Sequence, residues 1–174
     1  MSSDVARIAS ADELAAAVAA IPDPEVPVLT IADLGILREV RIDGLEAFVT
    51  ITPTYSGCPA MTAIAQHIAH VCDQHGYAGY LTTRLDPAWT TDWMSEDGRA
   101  KLARYGIAPP HVLAGPPGGS PAGAVPVELG RRTVTCPQCG SGNTTEIAHF
   151  GSTACKALRR CEECREPFDE FKAI

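Results

Sequence analysis

Four cysteines near the C-terminus have the spacing of a metal site. Cys136-Pro-Gln-Cys139 and Cys161-Glu-Glu-Cys164 are two Cys-x-x-Cys pairs, separated by 21 residues. Two such pairs can supply four thiolates to one tetrahedral metal ion. The segment 133–174 is too short to bury a sufficient core, so a bound metal would supply folding free energy directly. We expect structural zinc, and the four-thiolate set leaves no open position for hydrolysis.

Iron in the same sulfur cage is the alternative to zinc, because Cys-Pro-x-Cys-Gly is also similar to a rubredoxin knuckle. A further thiol, Cys155, lies between the two pairs in Phe150-Gly-Ser-Thr-Ala-Cys155-Lys156. It is either a fifth sulfur for the site or a surface thiol. The charge of the adjacent Lys156 would lower its pKa.

A second candidate for chemistry is Cys58, which follows a strand-like run and a polar turn. Pro59 suits the first position of a helix, because its fixed φ is helical and its missing N–H bonds nothing there. Cys58 would then lie near the N-cap, where the helix dipole favours a thiolate. The alternatives are a reactive sulfur and a small residue packed at a helix start. The apolar stripe expected on this helix is Met61, Ile64, Ile68 and Val71.

An acidic loop precedes the first predicted strand. In Asp23-Pro-Glu25-Val-Pro27 the two prolines exclude helix and favour an extended turn. The sequence predicts that Asp23 and Glu25 are displayed on this stiff loop. They are either ligands for a cation or a solvated acidic turn.

The remaining pattern of residues 1–106 predicts a small α/β (α+β) domain of two layers, in the order α-β-β-α-β-α. A capping box at Ser10–Glu13 begins the first helix. Strands are expected over 36–42 and 47–52, joined by an Asp43-Gly44 hairpin turn. A helix ending near Gly76 and a strand over 80–85 follow, and strand–helix–strand order implies a parallel pair. A short helix over 95–105 ends this region.

The chain divides into three parts by composition. Residues 1–106 form the first domain, residues 107–132 a linker, and residues 133–174 the four-cysteine zinc-ribbon module. The linker assignment rests on six prolines and four glycines between Pro109 and Pro126.

Charge and hydropathy exclude several classes of partner. Residues 1–106 hold seven Lys and Arg against fourteen Asp and Glu, a balance that a phosphate backbone repels. No apolar run approaches the roughly 20 residues of a membrane helix, and residues 1–10 lack a secretory pattern. We therefore expect a cytoplasmic protein that binds neither nucleic acid nor membrane.

Several short motifs, in order, carry a family resemblance. The residues Asp23-Pro-Glu25, Asp33-Leu-Gly35, Thr50, Thr52 and Gly57-Cys58-Pro59 are similar to the SufT-like iron–sulfur assembly domain. With the segments 87–94, 105–110 and 150–157 and the ribbon cysteines, nearly the whole chain resembles the D components of phenylacetyl-CoA epoxidase (PaaD, also called PaaJ).

The resemblance implies a role beyond what spacing shows. That epoxidase is a multicomponent monooxygenase of phenylacetate degradation, with a di-iron subunit and a reductase carrying flavin and a [2Fe–2S] cluster. The D component would be an accessory or maturation factor that helps to assemble or deliver the iron–sulfur or di-iron centre. The resemblance makes Cys58 the thiol that handles transient iron or a cluster, places Asp23 and Glu25 in the acidic loop, and makes the reductase or di-iron subunit a partner. A homodimer would present two Cys58 thiols to one cluster.

Two other classes of function compete with this interpretation. A non-catalytic scaffold or docking subunit of the oxygenase would need the ribbon but not Cys58. A thiol enzyme with Cys58 as nucleophile would need a nearby base, and no histidine is placed by the sequence to serve. We expect no independent enzymatic activity.

Overall fold

The computed structural model describes residues 8–55, 57–111 and 133–173. The chain forms two compact units, which divide between Lys101 and Leu102. The mixed α+β class, with two sheets and three helices, agrees with the class expected from the sequence.

The first unit begins with helix α1, Ala11–Ala19. The Ser10 side chain accepts a hydrogen bond from the Glu13 N–H at 3.2 Å, and the Glu13 carboxylate accepts one from the Ser10 N–H at 2.7 Å. These reciprocal bonds form the predicted capping box and satisfy N–H groups that the first turn leaves unpaired. Leu14 and Val18 are the buried side chains of α1.

A three-stranded sheet forms one layer of this unit, in the order β1-β2-β3. Strands β1 (Leu37–Asp43) and β2 (Glu46–Ile51) are antiparallel, and the turn between them contains Gly44 at φ +60°. Strand β3 (Ala78–Thr83) pairs with β2 in parallel, as predicted from the strand–helix–strand order. It begins two residues earlier than the sequence pattern indicated and ends before Arg84.

Helix α2, Ala60–Gln74, connects the two parallel strands. Its buried residues are Ala60, Ile64, Ile68 and Cys72. The prediction of Ile64 and Ile68 as buried residues is confirmed. At the two ends of the helix the prediction was one residue off, because Ala60 and Cys72 are buried whereas Met61 and Val71 are half-buried. Pro59 is the N-cap rather than the first helical residue.

The carboxylate of Asp33 joins three segments of the first unit. Its oxygens accept hydrogen bonds from the Thr30 N–H at 2.9 Å, the Ser95 hydroxyl at 3.2 Å and the Lys101 ammonium at 2.8 Å. Burial opposes ionisation of Asp33, but the bonds from Lys101 and Thr30 outweigh it and keep the pKa of that carboxyl below its usual value. Because the folded-state pKa is lowered, Asp33 stabilises the fold at neutral pH and loses that contribution as the pH falls.

The segment after β3 contains both tryptophans. Trp89 is buried, and its indole N–H donates to the Leu34 carbonyl at 2.9 Å. The Arg38 guanidinium lies 3.9 Å from the centroid of the Trp93 ring. A 3₁₀ turn over Thr91–Trp93 precedes helix α3, Glu96–Tyr105.

The second unit contains a four-stranded sheet in the order β4-β7-β6-β5. Its strands are β4 (Ile107–Ala108), β5 (Thr144–Ala148), β6 (Lys156–Cys161) and β7 (Pro167–Phe171). Strands β5, β6 and β7 form an antiparallel ribbon, and β4 pairs with β7 in parallel. Ala108, Val134 and Phe168 share a small core with Cys136 and Cys161.

The start of the predicted linker is structured. Ile107 and Ala108 were expected to be linker residues, and they form β4 because both side chains are buried in the second unit. Residues 112–132, the rest of that predicted linker, lie outside the described residues. Within the described ranges, the helices are too short or too polar to cross a membrane.

Gly35 provides a test of this architecture. It has φ +70°, and an added Cβ would collide with the Trp93 carbonyl and Cβ. Gly35→Ala should therefore lower the free energy of unfolding of the first unit by about 2–4 kcal/mol. Gly44→Ala is the matched control, since Gly44 has φ +60° in open space and should cost only about 1 kcal/mol. Urea unfolding followed by tryptophan fluorescence measures both, and equal losses would contradict the close approach to Trp93.

Candidate metal centre and thiol site

The side chains of Cys136, Cys139, Cys161 and Cys164 converge, with all four sulfur atoms within 4.8 Å of one another. The Sγ atoms of Cys136 and Cys164 are 3.8 Å apart, and those of Cys139 and Cys161 are 3.5 Å apart. A tetrahedral zinc ion with Zn–S bonds of about 2.3 Å requires sulfur atoms about 3.8 Å apart. The four cysteines therefore fit a single tetrahedral ion.

The first cysteine pair lies in a tight turn. The Cys136 N–H donates to the Ser141 carbonyl at 2.8 Å, and the Gly140 N–H donates to the Cys136 carbonyl at 2.9 Å. Gly140 has φ +76°, a left-handed conformation that glycine adopts without steric cost. This turn brings Cys136 and Cys139 to the same side of the chain.

The second cysteine pair repeats this geometry. The Cys161 N–H donates to the Glu166 carbonyl at 3.0 Å, again to the residue five positions ahead. Arg165 has φ +66° and takes the place that Gly140 has in the first turn. Since arginine is strained in the left-handed region, the second turn stores a cost that the first does not.

Cys161 and Cys164 have strongly unequal pKa values. The N–H of Cys164 has the largest effect on the Cys161 sulfur and, despite burial, lowers its pKa to about 7. The N–H of Glu166 favours ionisation of Cys164, but burial and the neighbouring thiols raise the pKa of Cys164 to about 12. Four thiolates at these distances repel one another, so they require a positive ion nearby. The thiols would therefore lose their protons as a metal ion binds.

Cys155 is separate from this cluster. It is 5% exposed, and its sulfur lies 3.0 Å from the Thr153 hydroxyl. The expectation that it is a surface thiol is therefore wrong, because its side chain is buried beside β6. Among the described residues the four-cysteine cluster does not include it.

Cys58 lies at the corner before α2 and is half-buried. Its N–H donates to the Tyr55 carbonyl at 3.3 Å, and its carbonyl accepts from the Met61 N–H at 3.2 Å. The Ala60 N–H and the Thr54 hydroxyl both bond to its sulfur. Cys58 therefore lies at the start of α2, next to the N-cap Pro59, as the sequence predicted.

The expected lowering of the Cys58 pKa is wrong. Burial is the largest influence and raises the pKa of this thiol, and the negative charges of Glu25 and Asp23 raise it further. The bonds from Ala60 and Thr54 oppose these effects without overcoming them. The protonated form of Cys58 is thus favoured, and in the folded chain the charges of Glu25 and Asp23 both act on this thiol.

Asp23 shapes the acidic loop from within, and the expectation that it is displayed is wrong. It is 6% exposed, and its Oδ1 accepts hydrogen bonds from the Glu25 N–H at 2.9 Å and the Val26 N–H at 2.7 Å. Its own N–H donates to the Leu29 carbonyl at 2.8 Å. Glu25 is the more exposed of the two carboxylates.

Thr54 is a neighbour of Cys58 that was not predicted from the sequence. Its hydroxyl bonds to the sulfur from four residues upstream, within the polar turn after β2. The polar turn could have predicted this contact, because a chain reversal lets a hydroxyl four residues upstream reach the cysteine sulfur.

Two protein-family models match separate parts of this chain. A model of an iron–sulfur cluster assembly protein family matches residues 11–72, and a model of the PaaD zinc beta ribbon domain matches residues 121–172. The two matches define a class of protein that joins an assembly-type domain to a zinc ribbon.

One relative is similar over nearly its whole length. This protein from Escherichia coli (strain K12) is 48% identical over 163 residues, which are 93% of this chain and 92% of the relative. The relative is named as the D component of 1,2-phenylacetyl-CoA epoxidase. The chain belongs to the family of phenylacetyl-CoA epoxidase D components.

Two solved structures are also similar. The crystal structure of a domain of unknown function, DUF59, from Bacillus anthracis has a TM-score of 0.45 and 24% identity, covering 53% of this chain and 90% of that chain. A conserved hypothetical protein from Thermotoga maritima has a TM-score of 0.41 and 24% identity, covering 59% of this chain and 98% of that chain.

The repeated turn geometry gives a paired prediction. Gly140→Arg should destabilise the ribbon by about 1 kcal/mol, because it places a side chain in the left-handed region. Arg165→Gly should stabilise it by up to about 1 kcal/mol, and the lost ion pair with Glu162 matters little because Arg165 is 71% exposed. Modification of the ribbon cysteines by a thiol reagent in rising urea, read by mass spectrometry, measures both changes. A loss of stability in Arg165→Gly would contradict the proposed strain.

Proposed function

We propose that this chain is an accessory maturation component of the phenylacetyl-CoA 1,2-epoxidase of phenylacetate degradation. It would act in the cytoplasm and help to assemble or deliver the iron–sulfur or di-iron centre of the reductase or of the di-iron subunit. The proposal rests on the environment of Cys58, whose thiol is kept protonated by burial and by the charges of Glu25 and Asp23. This thiol lies in a domain that matches an iron–sulfur cluster assembly family. The name of the Escherichia coli relative supports the link to that oxygenase.

The environment of Cys58 suits a transient cargo site. Burial keeps the Cys58 thiol protonated, and the negative charge of Glu25 and Asp23 adds to this effect and would also attract a cation. When iron or a cluster binds, the S–H proton leaves to solvent and an S–Fe bond forms. A protonated resting thiol resists oxidation, and a site with few ligands can release its cargo to a client.

The ribbon would hold zinc in a structural role. Four sulfur ligands at tetrahedral spacing leave no position for substrate, so the ion would stabilise the second unit and take no part in a reaction. The match to a zinc ribbon family supports zinc over iron in this cage.

A scaffold or docking role in the oxygenase is the second candidate. The half-burial of Cys58 and its raised pKa favour a scaffold role, because a packed and protonated thiol can be structural and need not bind iron. The two candidates differ in whether function depends on the Cys58 sulfur.

Metal content gives the first prediction of this proposal. The chain purified without oxygen should contain one zinc per chain and show no visible absorption. Acidification should release the zinc, because every ligand must lose a proton to bind it. Elemental analysis across a pH series measures this, and visible bands with iron that depend on Cys136 or Cys161 would instead indicate a rubredoxin-like site.

Cys58→Ala gives the second prediction. The variant is supplied to a bacterium that lacks its own D component. Compared with the wild-type chain, it should give at least tenfold less iron in the other epoxidase components and at least tenfold slower growth on phenylacetate. The zinc content of the variant chain should stay unchanged. Cys72→Ala is the matched control, since it removes a buried thiol from the helix that follows Cys58 and should retain function. Iron in the purified components, growth rate and zinc per chain are the measurements. Full function in Cys58→Ala would contradict a maturation role and favour the scaffold.

A further inference from the structure

The outer edge of β3 is an open strand edge. The Ala78 N–H donates to the Leu45 carbonyl and the Arg84 N–H donates to the Ile51 carbonyl, both at 2.8 Å. The even-numbered residues of β3 therefore direct their backbone N–H and C=O groups toward β2. Because alternate residues of a strand point to opposite edges, Gly79, Leu81 and Thr83 direct their N–H and C=O groups away from β2. In the part of the chain that the structure describes, β3 is the last strand of its sheet.

Strand β3 itself lacks the sequence features that usually protect an edge strand against pairing. Strand β3 reads Ala-Gly-Tyr-Leu-Thr-Thr, without a charge, a proline or a bulge. Natural edge strands are commonly protected by those features, so an unprotected edge marks a place where another strand binds. The backbone groups that point outward select an extended segment rather than a helix.

A groove lies beside the edge, on the face that carries α2. It has a volume of about 490 Å³, and its lining includes Met61, Ala65 and Ala69 of α2 with Leu81 and Thr83 of β3. The small alanine side chains leave room beneath the helix. A strand added at the edge of β3 would therefore place alternate side chains in this groove.

The charge of the surroundings favours a second copy of the chain. Thr62 and Gln66 complete the lining, so none of the groove residues is charged. Residues 1–106 nevertheless hold seven Lys and Arg against fourteen Asp and Glu. Because the domain is acidic, two copies meet with less repulsion through an uncharged surface than through a charged one, and β3 with its groove is uncharged.

The sequence of β3 also suits pairing with itself. With a two-fold axis at Leu81, antiparallel strands place Leu81 opposite Leu81 and Thr83 opposite Gly79 of the other copy. All of these residues point their backbone groups outward, so each opposed pair can exchange two hydrogen bonds. Gly79 has no side chain, which leaves space for the facing threonine.

We propose that two copies of this chain associate through antiparallel pairing of their β3 strands, forming a continuous six-stranded sheet with the Leu81 side chains beneath the α2 helices. The dimer stands independently of the proposed maturation role.

Oligomeric state tests this pairing. Light scattering should give the wild-type full chain twice its 18.4 kDa mass at high concentration, dissociating on dilution. Thr83→Lys should shift the dissociation constant at least tenfold toward monomer, because it adds a charge beside Gly79 of the other copy. Gln74→Lys adds the same charge to α2 outside the groove and should leave the dimer unchanged. Tryptophan fluorescence checks that each variant is folded.

Cross-linking tests the register. In a Cys58→Ser background, Leu81→Cys should form a disulfide-linked dimer when copper phenanthroline accepts the electrons, because facing residues of a hydrogen-bonded pair lie about 5.5 Å apart at Cα. Thr83→Cys faces glycine and should not cross-link. A wild-type chain that stays monomeric at its highest soluble concentration would overturn the proposal and leave the edge to a peptide of another protein. A dimer that is insensitive to Thr83→Lys and not cross-linked through Leu81→Cys would overturn it as well.

Discussion

Mutual repulsion among closely spaced sulfur atoms is the constraint on which the second unit depends. Four thiols within 4.8 Å cannot all ionise unless a cation offsets their charge. The small core around Val134 and Phe168 includes two of these cysteines, so the sulfur cage is continuous with that core. Ile107 and Phe171 are also buried in this unit, and the ion would add to their contribution in holding the ribbon strands together.

Cys58 shows the opposite arrangement of charge. Burial raises the pKa of this one thiol, and the negative charges of Glu25 and Asp23 raise it further, so the uncharged form is favoured. The ribbon cysteines form a closed set of ligands, whereas Cys58 has one sulfur and neighbours that attract a cation weakly. The proposed maturation role uses this difference, since the ribbon would hold its ion permanently and Cys58 would release its cargo.

The sequence predicted the parts of the structure that follow from local chemistry. The capping box at Ser10, the Asp43-Gly44 turn and the two Cys-x-x-Cys pairs each depend on residues close together in the chain, and each is found. The burial of Asp23 and the direction of the Cys58 pKa depend on segments far apart in sequence. Strand β4 was missed for the same reason, since two residues carry no periodicity and their partner, β7, lies about sixty residues away.

The hydrogen bonds of Asp23 have a further consequence for the acidic loop. Its carboxylate fixes the backbone of Glu25 and Val26 when the domain folds. The backbone of Glu25 is therefore ordered when the domain folds, so a cation bound there under the proposed role would not bear that entropy cost. In this loop the buried carboxylate of Asp23 fixes the conformation from which the half-buried carboxylate of Glu25 projects.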